Sequence, residues 1–197
     1  MDLIHDLYHY LSQGGLVMIP LILCSLTMWT LILDRMFYFY ALESRDIEIS
    51  RLTTALREKR VPVNRDGLKA HLVRYYLTHR TGDPFVDKRI LEECAMSMDP
   101  KLTRFLAIIA VLAAVSPLFG LLGTVTGMIT TFDVITLFGT GNARAMAGGI
   151  SEALVTTQSG LMVSIPGLLM SVLLFRRSAR AQAHLKEAVM LLKRNLQ

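Results

Sequence analysis

At 197 residues and 22.0 kDa the chain is short, yet 52% of it is apolar, only 19% is charged and its mean hydropathy is +0.43. A soluble domain of this size would leave too much of that surface in water, which excludes a soluble enzyme, a secreted domain or a nucleic-acid module. The net charge of +5 and a pI near 9.4 would suit a nucleic acid only if the cations formed a patch, and they do not.

Three stretches lack Asp, Glu, Lys and Arg: 7–33, 105–132 and 153–175. Each supplies the ~20 residues that cross ~30 Å of hydrocarbon at ~1.5 Å per residue. An all-α integral membrane protein with three transmembrane helices and long cytoplasmic helical extensions is therefore expected. Of the 21 Lys and Arg, 13 lie between positions 45 and 104 and six between 176 and 194. The first 34 residues have none, and Arg144 stands by itself between the second and third spans. By the positive-inside rule the N-terminus faces outward and the C-terminus is cytoplasmic.

Residues 1–14 read as an amphipathic helix at the outer interface, with Leu3, Ile4, Leu7, Tyr8 and Leu11 on one face. His5 and His9 have the spacing of a metal pair but no third ligand within reach, so they read as part of its polar face. No basic leader or A-x-A site precedes the first span, 15–40, which reads as an uncleaved anchor. Trp29 and the run from Phe37 to Tyr40 place aromatic residues at its inner end.

The segment 41–104 reads as short cytoplasmic helices. Ile47, Ile49, Leu52 and Leu56 predict one, ended by Pro62; Leu68, Leu72, Tyr75 and Tyr76 predict another. Asp83-Pro84 is an N-cap and first-turn pair, and Asp99-Pro100 repeats that signal, predicting the start of the second span there. The segment holds no phosphate loop, dinucleotide fingerprint or metal spacing, so neither a cofactor nor covalent chemistry is expected. Cys24 and Cys94 lie too far apart in the topology to pair and read as packing residues.

From Lys101 to about Leu137 only Pro117 interrupts the predicted helix, which spans 105–137 in the membrane and projects below it. Residues 138–146 form the outer turn, 147–175 the third span and 176–197 a cytoplasmic C-terminal helix. There Leu185, Val189, Leu192 and Leu196 keep the spacing of a helix-packing stripe.

Spans two and three are not plain anchors. Gly120, Gly123 and Gly127 share span two with Thr124, Thr126, Thr130 and Thr131. Span three carries Gly160, Ser164, Gly167 and Ser171 at 4-3-4 spacing, a pattern that lets backbones approach closely. Glu152 enters span three just before 23 uncharged residues. A carboxylate there either complements the helix N-terminus or faces a water-filled path. Thr156 and Ser159 share its face and favour the path. Counted from the outer ends, Thr124 and Thr157 lie at similar depths, ~13 and ~15 Å. The two could form one polar ring, although membrane threonines also bond their own helix carbonyls.

The runs SPLFGLLGTVTGM (116–128), GGISEALVTT (148–157) and GLMVSIPG (160–167) resemble the MotA/TolQ/ExbB proton-channel family. The resemblance implies a ring-shaped homo-oligomer, a pentamer in ExbB-like members, in the inner membrane of a Gram-negative bacterium. It further implies an ExbD-like single-span partner within the pore, and a TonB-like protein driven by the proton gradient for outer-membrane transport. By motif, Thr124 and Thr157 correspond to pore threonines facing the partner's aspartate, and Glu152 to the pore glutamate, with Thr156 beside it. Pro117, Gly120, Gly123, Gly127, Gly160 and Pro166 correspond to helix-shaping residues. A TolQ-like motor for envelope maintenance shares these motifs, and a non-conducting scaffold is the reading from another class. The short N-terminal extension, Gln158 and the glycine-rich turn with Arg144 depart from long ExbB forms. A MotA-like fourth span is not seen.

Overall fold

The computed structural model describes residues 14–44 and 67–194. These are helical, with no strand among them: α1 (Met18–Ser44), α2 (Leu68–His79), α3 (Pro84–Thr103), α4 (Leu106–Phe138) and α5 (Ala143–Arg194). A single 3-10 turn, Gly139–Gly141, joins α4 to α5. The expected helices over residues 1–13 and around Ile47 to Leu56, and Leu196 of the C-terminal stripe, lie outside the described residues. Helices in three stretches, Met18–Glu43, Pro84–Gly141 and Ala143–Arg194, are long and apolar enough to cross a membrane. The chain divides into two compact units, Met1–Ile32 with Ala107–Ser171, and Leu33–Leu106 with Val172–Gln197.

In the first unit α4 and α5 run antiparallel along a seam of small residues. Ala113, Ser116, Gly120, Gly123 and Gly127 are buried on α4; Ala153, Thr156, Gly160, Ser164 and Gly167 are buried on α5. The 4-3-4 stripe of α5 is therefore the packed face. A Cβ on Gly160 would come within 2.9 Å of the Ser116 carbonyl and 3.1 Å of the Gly120 Cα, so the two backbones nearly touch. Pro117 has no N–H to give the Ala113 carbonyl one turn below, and the Ser164 hydroxyl donates to that carbonyl instead, at 2.8 Å. From α1, the fully buried Met28 covers Gly167, where an added Cβ would lie 2.5 Å from its sulfur.

The second unit is built differently. Asp83 accepts the Phe85 N–H at 2.9 Å and Pro84 starts α3, as its sequence predicts. Asp87, in the first turn of α3, is 1% exposed. It accepts from the Thr81 N–H at 2.9 Å, the Thr81 hydroxyl at 3.0 Å and the Tyr76 hydroxyl at 3.1 Å, with Arg80 at 3.6 Å. Burial alone would raise this carboxyl's pKa, but the hydrogen bonds from Thr81, Tyr76 and Gly82 outweigh it and hold the pKa below the ordinary value. One ion thus fixes the corner between α2 and α3.

The expectation that Asp99-Pro100 opens the second membrane helix is corrected. α3 runs through Pro100, and the break falls at Arg104 and Phe105, whose φ of 64° is left-handed. The reason lies on α1 and α5. Arg35, 7% exposed, donates to the Lys101 carbonyl at 3.3 Å, and the Ser178 hydroxyl of α5 donates to the Leu102 carbonyl at 3.0 Å. These carbonyls belong to the last turn of α3 and lack helix partners once it ends. Arg35 also pairs with Asp34 at 2.8 Å and lies over the rings of Tyr38 and Phe105. α1 is thus more than an aliphatic anchor. The C-terminal stripe of α5 is buried at Leu185, Val189 and Leu192, and Lys193 pairs with Glu92 of α3.

Candidate functional site

The seam sets the register of the polar residues. Gly120 faces Thr156, Thr157 and Gly160, whereas Gly127 faces Gly149 and Ala153. Thr124 therefore lies about one helical turn, roughly 5 Å, from the level of Thr157. Each threonine follows a buried seam residue, Gly123 or Thr156, by one position. A step of one residue turns ~100°, and in antiparallel helices that step leads to the same edge of the seam. Thr124 and Thr157 therefore share one edge, and both are half-buried.

Their hydroxyls differ. Thr124 donates within its own helix, to the Leu121 carbonyl at 2.6 Å. The Thr157 hydroxyl lies 3.0 Å from the Ala153 carbonyl and 3.4 Å from the Gly120 carbonyl of the other helix. Its single proton can serve either, which gives it a second orientation across the seam. Thr156 occupies a different environment. It is 1% exposed, its hydroxyl bonds its own helix at Glu152 and Ala153, and its side chain fills the notch left by Gly123. Ser159, 7% exposed, is buried with it. The lower members of the column below Glu152 thus lie inside the packed seam rather than on an open path through this chain.

Glu152 stands apart from the threonine pair. Five residues separate it from Thr157, a rotation of about 140° and an axial step of about 7.5 Å. Its half-buried carboxylate rests against Gly15, where the chain enters α1 with φ of 62°. A Cβ on Gly15 would collide with that carboxylate, lying 2.7 Å from Cδ. The sequence analysis does not single out Gly15; the local signal there is the Gly14-Gly15 pair, which marks a turn and not a site. The alternative for Glu152, a charge at the helix end, is not its geometry either. α5 begins nine residues earlier at Ala143, where Asn142 accepts the Ala145 N–H at 3.2 Å.

Pro117 and Pro166 lie inside α4 and α5, half-buried. Gly120, Gly123, Gly127 and Gly160 are all seam residues at which a Cβ would press on the other helix. Those four glycines are thus brought together. The threonine pair and Glu152 are not, and lie on opposite edges of the seam.

Residues 57–187 match the MotA/TolQ/ExbB proton channel family. A Synechocystis sp. protein named ExbB-like 3 is 33% identical over 165 residues, covering 79% of each chain. Another Synechocystis protein, ExbB-like 1, is 32% identical over 167 residues, 80% of this chain and 66% of the relative. The biopolymer transport protein ExbB of Pseudomonas putida is 26% identical over 186 residues, 88% of this chain and 56% of the relative. A match of this extent, over helices with this glycine seam and polar complement, shows that the chain belongs to the MotA/TolQ/ExbB proton channel family and is ExbB-like.

Proposed function

We propose that this protein is the channel subunit of an inner-membrane motor that uses the proton motive force to drive a TonB-like protein. It works as a ring-shaped homo-oligomer, a pentamer, around an ExbD-like single-span partner, with its N-terminus periplasmic and its C-terminus cytoplasmic. It is not an enzyme. The observation that carries the reading is the shared edge of Thr124 and Thr157, hydroxyls on two helices held together by glycine, in a chain of this family. A hydroxyl with two acceptors in reach, as at Thr157, can turn between them and pass or receive a proton from a carboxylic acid on the partner. Glu152, the one acid among the residues of span three, supplies a titratable group nearer the outer end of α5, on the opposite edge of the seam against Gly15. Thr156 supports the path by packing rather than by proton exchange.

The relatives named ExbB favour this reading over a TolQ-like motor. The test is gradient-dependent uptake in cells carrying Glu152→Ala or Thr157→Ala. Both should reduce uptake at least tenfold, with the proteins still present in the membrane. Normal uptake in both variants would leave the non-conducting scaffold as the better reading.

A further inference from the structure

Two cavities open in the second unit beside the last turns of α1, separated by Leu42 and Leu68, which line both. The smaller holds about 80 Å³ and is lined by the buried Leu185 and Lys69, with Arg177 and Arg180 exposed at its rim. The larger, about 200 Å³, includes Arg74 and Lys101. Among the described residues of both linings the one carboxylate is Glu43. Arg177 and Arg180 make no ion pair or side-chain hydrogen bond among the described residues. Two unpaired guanidiniums at the rim of a partly apolar hollow, outnumbering the single carboxylate of Glu43, are arranged for an external oxyanion.

Depth identifies which one. The uncharged stretch of α5 ends at Phe175, so Arg177 lies two residues past the hydrocarbon and Arg180 about 8 Å past it. On α1 the aromatic run ending at Tyr40 lies two residues before Leu42 and three before Glu43. Both helices thus place the smaller cavity in the headgroup layer. Sidedness alone requires only that arginines follow the span, not that they line a hollow. We propose that the Arg177–Arg180 rim binds the phosphate of an anionic phospholipid of the inner leaflet.

The choice of leaflet rests on the sidedness proposed above; the lipid selectivity does not, and the two are tested separately. Purified full-length protein in neutral detergent is incubated with phosphatidylglycerol or phosphatidylcholine, and retained lipid is read by native mass spectrometry. The wild type should retain phosphatidylglycerol roughly ten- to thirtyfold better, the scale of two surface cations near an anionic lipid. Arg177→Gln/Arg180→Gln should abolish the preference, and Arg177→Lys/Arg180→Lys should keep part of it. Arg144→Gln/Arg194→Gln, with the same charge change elsewhere, should keep it all. The proposal is overturned by equal retention of both lipids by the wild type, or by selectivity surviving in the glutamine pair. It is equally overturned by loss in the Arg144/Arg194 control, or by displacement of the lipid by millimolar inorganic phosphate, which would mark a free-anion site. Labelling of an Arg194→Cys variant in oriented vesicles checks the sidedness by itself.

Discussion

The two units of this chain hold their helices together by opposite means. In the first, α4 and α5 meet through glycine, alanine and serine, and the polar contacts across the seam go from hydroxyls to carbonyls, as from Ser164 to Ala113. In the second, large side chains such as Leu72, Tyr76, Leu91 and Leu185 fill the interior, and buried ions fix the corners through Asp87 and Arg35. The difference follows the solvent. Between helices in lipid, burying a leucine gains little because lipid is as apolar as the protein, so close backbone contact and hydroxyl bonds dominate. Where water is the alternative, burying large apolar side chains stabilises by about 1.5–3 kcal/mol each, and an ion can be held if its bonds are complete.

The comparison breaks first at the seam. Gly160→Val puts branched carbon against the Ser116 carbonyl and the Gly120 backbone, and should cost about 3 kcal/mol or more, read as loss of folded protein in detergent. The same replacement at Gly82, with open space around it, should cost only the strain of its φ of 89°, roughly 1–2 kcal/mol. Asp87→Asn tests the other unit. Removing the charge that Thr81 and Tyr76 bond should destabilise by about 1–3 kcal/mol, measured by chemical denaturation.

Its pH dependence has a definite sign. A carboxyl with a lowered folded-state pKa binds its proton more weakly when folded, so its contribution is complete above the unfolded pKa, roughly 4, and is lost as pH falls through the lower folded value. Melting of the wild type should therefore hold through neutral pH and drop in acid, and Asp87→Asn should flatten that drop.

Gly15→Ala should cost about 1–2 kcal/mol from its left-handed backbone and move Glu152 as well. Energised uptake should fall, and adding Glu152→Gln should lower it no further. Separate losses that multiply would show that Gly15 does not act through Glu152. Lys193→Ala ranks last: its pair with Glu92 is open to water, and melting should be unchanged within error.

Much of the first unit was legible because membrane helices announce themselves by length and by what they omit. The buried stripe of α5 was predicted by the spacing of Gly160, Ser164, Gly167 and Ser171 alone. The threonines were legible as a level in the membrane but not as an edge, since depth follows from counting residues while rotation needs the partner helix. Thr156 shows the cost: a hydroxyl one position from Thr157 shares its chemistry, yet it is buried in the notch at Gly123. In the second unit Asp83-Pro84 and Asp99-Pro100 are the same local signal. The first starts a helix and the second does not, because α3 tolerates Pro100 and ends where Arg35 and Ser178 take its final carbonyls.

The family was legible in the resemblance of the runs 116–128, 148–157 and 160–167, while composition and pattern by themselves determined the three spans, the antiparallel pairing of the last two and the glycine seam. Those properties depend on one-dimensional quantities: hydropathy over ~20 residues, charge placement and helical period. Tertiary structure alone decided the break at Phe105, the burial of Asp87 and Thr156, and the contact of Glu152 with Gly15. Each depends on a side chain brought from a distant part of the chain, and no local spacing records which neighbour will arrive.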